Sequence, residues 1–319
     1  MVVNSETGVV DGSDKPDCDN PNLGDYLLLD ESGLRTDLIG LFRGLGPSVI
    51  SMLTLATVDS PEFVKRFIRN KVPIDLIKTL MDHLPAIDYH REGDPDLFMR
   101  PGFLTGAASA KYLGQAFPAP CGINSHQYDF SDGLLDLSDR LLPKVKKTKD
   151  VGKTVHFLGH SYGALIGLQA YQKQPKLFDR ILTMAVPYHG SEMADRYGGL
   201  LSLLPIVDVR KFSTTDPVLA EFRRKGLPED APILNLYSDG DELIRHYSRS
   251  ILPSQSNVTN LCIPGIKHNQ FLYDPLVREI AKLFMGGCEV DSELPDRLDQ
   301  ALGPKQTTRI EELVRVNGF

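Results

Sequence analysis

The run Thr154-Val155-His156-Phe157-Leu158-Gly159-His160-Ser161-Tyr162-Gly163-Ala164-Leu165-Ile166-Gly167 constrains this chain more than any other stretch. A short apolar segment rich in β-branched and aromatic residues runs into Gly-x-Ser-x-Gly, and an apolar, helix-compatible segment follows without a gap. That order holds a serine on a sharp strand-to-helix turn. Backbone segments approach so closely in such a turn that a Cβ would collide, and glycine at 159 and 163 removes the atom. The turn lifts the Ser161 hydroxyl clear of the sheet. It also directs the first N–H groups of the new helix at the same point.

The rest of the chain agrees with an α/β architecture. Strand patterns fall at residues 97–100, 127–130, 155–158, 181–186, 233–237 and 259–263, with helical patterns at 105–117, 134–147 and after Ser161. Alternation at these lengths predicts a mostly parallel sheet of about six strands flanked by helices on both faces. Upstream, residues 1–24 are acidic and scattered with Gly, Pro and Asn, and read as a flexible segment. Residues 25–90 read as a helical extension packing on the core. Within it, Ser60-Pro61-Glu62 is a good helix start, and Phe63, Val64, Phe67 and Ile68 share one face. A catalytic domain is expected over 91–290, interrupted at 191–230 by an insertion without strand signal that reads as a cap or lid. Residues 291–319 form a polar tail with one helix near 306–316.

Four blocks carry a resemblance to a known family: Arg100-Pro101-Gly102-Phe103-Leu104, Gly159 to Gly163, Ala185-Val186-Pro187-Tyr188-His189-Gly190-Ser191, and Tyr237-Ser238-Asp239-Gly240-Asp241 with Gly265-Ile266-Lys267-His268. Together they resemble α/β-hydrolases, the lipase and esterase branch in particular. In that fold a serine nucleophile is followed in sequence by an acid and then a histidine, each on a loop beyond a later strand. The resemblance implies Ser161 as nucleophile and His268 as general base. His268 follows a strand ending in a glycine loop and precedes a helix pattern at 275–284, whereas His246 sits in Glu242 to Tyr247, a helical or loop segment near the site. Asp239, Asp241 and Glu242 all follow the strand at 233–237. The family order selects Asp241, which precedes the apolar pair Leu243 and Ile244, and leaves Asp239 to cap the turn.

The resemblance also implies an oxyanion hole built from the backbone N–H groups of Tyr162 and Phe103. The family often has His-Gly where this chain has Pro101-Gly102, so the loop lacks a histidine that commonly orders it. Leu104, Tyr188, and Leu201, Leu204 and Ile206 of the insertion are the expected acyl-pocket residues. The turn 187–191 otherwise reads as structural, and His189 precedes the acid, against the family order for a base.

An ester hydrolase acting on apolar acyl groups is therefore expected, with no metal or organic cofactor. The same triad would serve an acyltransferase or thioesterase, and a non-catalytic binding protein could keep the same fold. Expected partners are a small-molecule or lipid ester, with transient contact to a lipid interface. Nucleic acid is not expected, because the net charge is −7 and no basic stripe is present. The four cysteines, Cys18, Cys121, Cys262 and Cys288, lie far apart and support neither a metal site nor a disulfide framework. No basic start with an apolar run opens the sequence, so a cytoplasmic location is expected. A leader removed upstream would instead make the protein secreted.

Overall fold

The computed structural model describes residues 89–319 apart from 103–112, 115, 118, 126–127, 129–131, 193 and 196–208. All of these lie within the compact unit Ala56–Phe319. The expected acidic segment and nearly all of the expected helical extension lie outside the described residues, as does most of the expected helix at 105–117.

In chain order the strands are β1 (Tyr89–Arg91), β2 (Asp96–Arg100), β3 (Gly122–Ser125), β4 (Val155–His160), β5 (Arg180–Met184), β6 (Ile233–Tyr237) and β7 (Val258–Cys262). The helices are α1 (Leu134–Asp150), α2 (Tyr162–Lys173), α3 (Pro217–Lys225), α4 (Pro275–Met285), α5 (Leu294–Leu302) and α6 (Thr307–Asn317). Among the described residues the strands form one seven-stranded sheet in the order β1-β3-β2-β4-β5-β6-β7. Only β1 runs antiparallel, against β3.

The expected mostly parallel sheet flanked by helices is present, and it includes the additional short strand β1, whose three residues are too short a run to give a periodic signal. The second core strand is Gly122–Ser125, and the expected strand at 127–130 lies outside the described residues except for Tyr128. Gly-Ile-Asn-Ser carries one apolar residue, and its place is set by partners on both sides: Asp96–Met99 of β2 and Tyr89–Arg91 of β1. Tyr128 lies outside any strand, and its hydroxyl donates to the Pro101 carbonyl at 2.8 Å.

Alternation along the strands divides the core. Phe98, Val155, Phe157, Ile181 and Ile233 face α1, α2 and α3, while Leu97, Met99, Leu158, Leu182, Leu234 and Leu236 face α4, α5 and α6. Helix α1 is amphipathic, burying Leu134, Leu137, Leu141, Leu142 and Val145 at one-face spacing. Helix α2 has no polar face, and every residue from Tyr162 to Tyr171 is buried. Gly167 lets it settle on the sheet, since a Cβ there would lie 1.9 Å from the Phe157 ring.

On the other face, Asp274 caps α4 by accepting from the Leu276 and Val277 N–H groups, and Pro275 occupies the first turn. Burying Leu276, Val277, Ile280 and Phe284 stabilises the fold by about 1.5–3 kcal/mol per side chain. The segment after 291 holds two helices where one was expected, and Leu294, Leu298, Ile310 and Leu313 join the core. Asn317, at the end of α6, accepts from the Cys262 N–H at 2.8 Å and donates to the Cys262 carbonyl at 2.8 Å. The exposed side of edge strand β7 is thereby blunted. Among the described residues no helix is long and apolar enough to cross a membrane.

Candidate active site

Strands β2, β4, β5, β6 and β7 all end at one edge of the sheet, the edge where α/β folds place their ligands. Ser161 stands there, between the last residue of β4 and the first of α2. Its backbone has φ 53° and ψ −123°, a conformation that side-chain-bearing residues rarely adopt. The neighbouring glycines are sterically required. A Cβ on Gly159 would lie 2.5 Å from Ala164 Cα, and one on Gly163 would lie 2.2 Å from the Arg100 carbonyl oxygen. The Ser161 N–H donates to the Met184 carbonyl at 2.8 Å, tying the turn to the end of β5. From the β2 side Gly102 closes over the serine, and a Cβ on it would come within 2.9 Å of Ser161 Cβ.

The loops after β6 and β7 meet backbone to backbone. Gly240 packs on Gly265, where a Cβ would lie 2.6 Å from the carbonyl carbon. Asp239 accepts from the Gly265 N–H at 2.8 Å, so it caps the facing loop rather than its own turn. Its own turn is closed by Ser238 Oγ, which accepts from the Gly240 N–H at 3.0 Å. Asp241 points inward. Its Oδ1 accepts from the Leu243 and Ile244 N–H groups at 2.9 and 2.8 Å, and its Oδ2 lies 2.8 Å from His268 Nδ1.

Both members of this pair are buried, at 3 % exposure for Asp241 and 4 % for His268. Burial alone would raise the Asp241 pKa. The charge and hydrogen bond of His268, with the two backbone N–H groups, outweigh it and hold the carboxyl below the usual carboxylate range. Burial likewise opposes protonation of His268. The charge and hydrogen bond of Asp241, helped by the charge of Glu242, overcome that and leave the imidazole above the ordinary histidine value. With Nδ1–H facing Asp241, a neutral His268 carries its lone pair on Nε2.

Two residues with no role expected from the sequence complete the surroundings. His160, next to the serine, donates from Nε2 to the His268 carbonyl at 2.9 Å, and the two rings lie 4.9 Å apart. Burial, with the neighbouring His268 adding to it, pushes its pKa down to about 3, so it stays neutral. Glu242 accepts from the His268 N–H with Oε2 at 3.0 Å. The signal that could have found them was position alone: one residue before the serine and one after the acid.

The remaining expected site residues fall differently. Tyr162 is the first residue of α2, placing its backbone N–H at the serine turn. Tyr188 is 1 % exposed, with its ring edge-on to Phe222 at 5.4 Å and its hydroxyl buried without a hydrogen-bond partner among the described residues. Burial pushes that phenol up to about 12. His189 lies in the turn beside it, and its N–H donates to the Arg249 carbonyl. His246 stands apart from the buried pair, exposed and 2.9 Å from Glu192. Phe103, Leu104, Leu201, Leu204 and Ile206 lie outside the described residues. Among the described residues no group of His, Cys, Asp or Glu side chains is arranged to hold a metal ion.

The model of the Alpha/beta hydrolase family matches residues 85–316, well over half of the chain. The chain belongs to the α/β-hydrolase family. Among solved structures, this α/β-hydrolase is similar to Aspergillus fumigatus lipase B, with a TM-score of 0.54 and 18 % identity over 71 % of this chain and 62 % of the lipase. It is also similar to a structure of the metagenome-derived lipolytic enzymes LipS and LipT. There the TM-score is 0.53 and the identity 14 %, over 64 % of this chain and 98 % of that one. At such identities the likeness is one of fold. No curated protein matches.

Proposed function

We propose that this α/β-hydrolase is a serine esterase cleaving carboxylic esters with an apolar acyl group. One observation carries the reading: a buried Asp241–His268 pair with an elevated histidine, on the same sheet edge as a serine held in a strained turn. A serine hydroxyl is too weak an acid to attack an ester unaided, and it needs a base with a free lone pair. His268 Nε2 takes the Ser161 proton as Oγ bonds to the ester carbonyl carbon. Asp241 fixes the tautomer and stabilises the imidazolium. Charge on the carbonyl oxygen is met by the N–H groups of Tyr162 and Phe103, each worth about 10²–10³ in rate. As the tetrahedral intermediate collapses, the imidazolium protonates the leaving alcohol. Water, deprotonated by the same imidazole, then attacks the acyl-enzyme and releases the acid. Leu104, Leu201, Leu204 and Ile206 are proposed to line the acyl pocket, with Tyr188 buttressing it.

Ser161→Ala should abolish hydrolysis of p-nitrophenyl esters while the circular dichroism spectrum stays that of the parent. Turnover retained by that variant would sink the reading. A panel of esters of increasing chain length should show rates that grow with acyl length before falling.

A further inference from the structure

His268 is held by more than its ring. Its N–H goes to Glu242 Oε2, its carbonyl receives Nε2–H of His160, and its Nδ1 meets Asp241. Glu242 is the unexplained member. Its second oxygen, Oε1, is buried with no hydrogen-bond partner among the described residues. An unmatched carboxylate oxygen away from water is costly, and such an atom calls for a reason. The fold goes to some length to put it there. The Gly240–Gly265 contact and the Asp239–Gly265 bond clamp the two loops together. Asp241 and Glu242, adjacent in the chain, then address one histidine from two sides, by ring and by backbone.

We propose that Glu242 is a second acid of this site, a positioning residue that anchors the backbone of His268 and places an additional negative charge beside the imidazolium formed during turnover. The inference rests on His268 being the base of the proposed reaction. Groups around His268 leave the part to Glu242. Asp241 is already committed by three hydrogen bonds. His160 stays uncharged. Asp239 is turned to the Gly265 N–H, and Lys267 is exposed. On the β2 side, Arg100 borders the same small apolar cavity as His160 and Leu272 and brings positive rather than negative charge. The direction of the histidine's shift agrees, since Glu242 contributes to raising it after Asp241.

Glu242→Gln separates the two tasks, because the amide oxygen can still accept from the His268 N–H while the charge is gone. In protein labelled with ¹³C,¹⁵N-histidine, the His268 titration midpoint, assigned against His268→Ala, should move down by about 0.5 pH or more in E242Q. The acid limb of kcat/KM for a p-nitrophenyl ester should move with it. Relative to its own plateau, activity well below the midpoint then rises about threefold, an effect that loosened packing does not produce. Glu242→Ala, losing the acceptor as well, should cut plateau kcat at least tenfold more than E242Q does.

A His268 midpoint unchanged in E242Q overturns the electrostatic role. Equal plateau rates in the two variants overturn the anchoring role. If E242A does not fold, the shift in E242Q still decides the electrostatic role, and equal plateau kcat in wild type and Glu242→Asp, whose shorter arm cannot reach the N–H, overturns the anchor. The titration is read on the folded protein without substrate. It therefore stands even if Ser161→Ala retains turnover, which would sink the esterase reading instead.

Discussion

The proposed nucleophile, Ser161, and the proposed base, His268, are held by different physics. Ser161 is placed by shape: a positive φ, a backbone that passes Gly163 and Gly102 at distances no Cβ could share, and a helix that is buried throughout its first ten residues. His268 is placed by polar contacts from three side chains. Steric placement tolerates little substitution, because a Cβ would meet backbone at Gly163 and, at Gly102, the Ser161 Cβ and the buried His160 ring, none of which can readily move aside. Polar placement tolerates substitution in the fold but not in the chemistry, because an isosteric change removes charge or tautomer while leaving volume intact. Damage on one side should therefore appear in stability, and damage on the other in rate.

The largest effect should come from Asp241→Asn. The asparagine oxygen can still accept from the Leu243 and Ile244 N–H groups, so the fold should survive, while kcat for a p-nitrophenyl ester drops by about 10⁴. Asp239→Asn should cost less than about tenfold, since Asp239 serves only the Gly265 N–H. Comparable losses in the two variants would erase the distinction between them.

Next in size are stability effects at the serine turn. Gly163→Ala drives a Cβ into the Arg100 carbonyl and should cost roughly 2–3 kcal/mol in chemical denaturation. Ser161→Gly, inactive for the proposed chemistry, should instead stabilise by about 1 kcal/mol by releasing a backbone that favours glycine. A destabilised S161G would show that shape does not hold the nucleophile in tension.

A further effect is graded in pH. His156 and His160 are pushed down by burial to about 4 and about 3. Between those values and the ordinary histidine pKa of about 6.5 the unfolded chain binds more protons than the folded one, so thermal stability should fall as pH falls below about 6.5. His268 has the opposite sign: its contribution is full below about 6.5 and is lost as pH rises through its elevated pKa. Activity by the proposed mechanism, in which neutral His268 is the base, should rise with pH through that same elevated value. The base-side histidine is then read in rate and the buried ones in melting temperature.

Legibility in the sequence followed the same divide. The serine turn and the strands β2, β4, β6 and β7 were readable because steric demands leave fixed marks, glycines at set offsets and unbroken apolar runs. Strand β3 was missed because Gly122-Ile123-Asn124-Ser125 is a strand by virtue of its neighbours. The pairing of Asp241 with His268 followed from the resemblance and from order along the chain. His160 and Glu242 left no mark of their own, since a hydrogen bond to the backbone of a residue more than twenty positions away has no sequence period. The polar segment after 291 read as a tail because α5 and α6 bury only a few apolar residues each, among them Leu294, Leu298, Ile310 and Leu313.

The central claim is that Ser161 is made nucleophilic by His268. Its most direct measure is the rate at which a fluorophosphonate becomes attached, followed by intact mass and peptide mapping, which requires no knowledge of the natural ester. The expected result is one adduct on Ser161, absent in Ser161→Ala and slowed at least about a hundredfold in His268→Ala. An adduct at another residue, or a rate on Ser161 indifferent to His268, would contradict it.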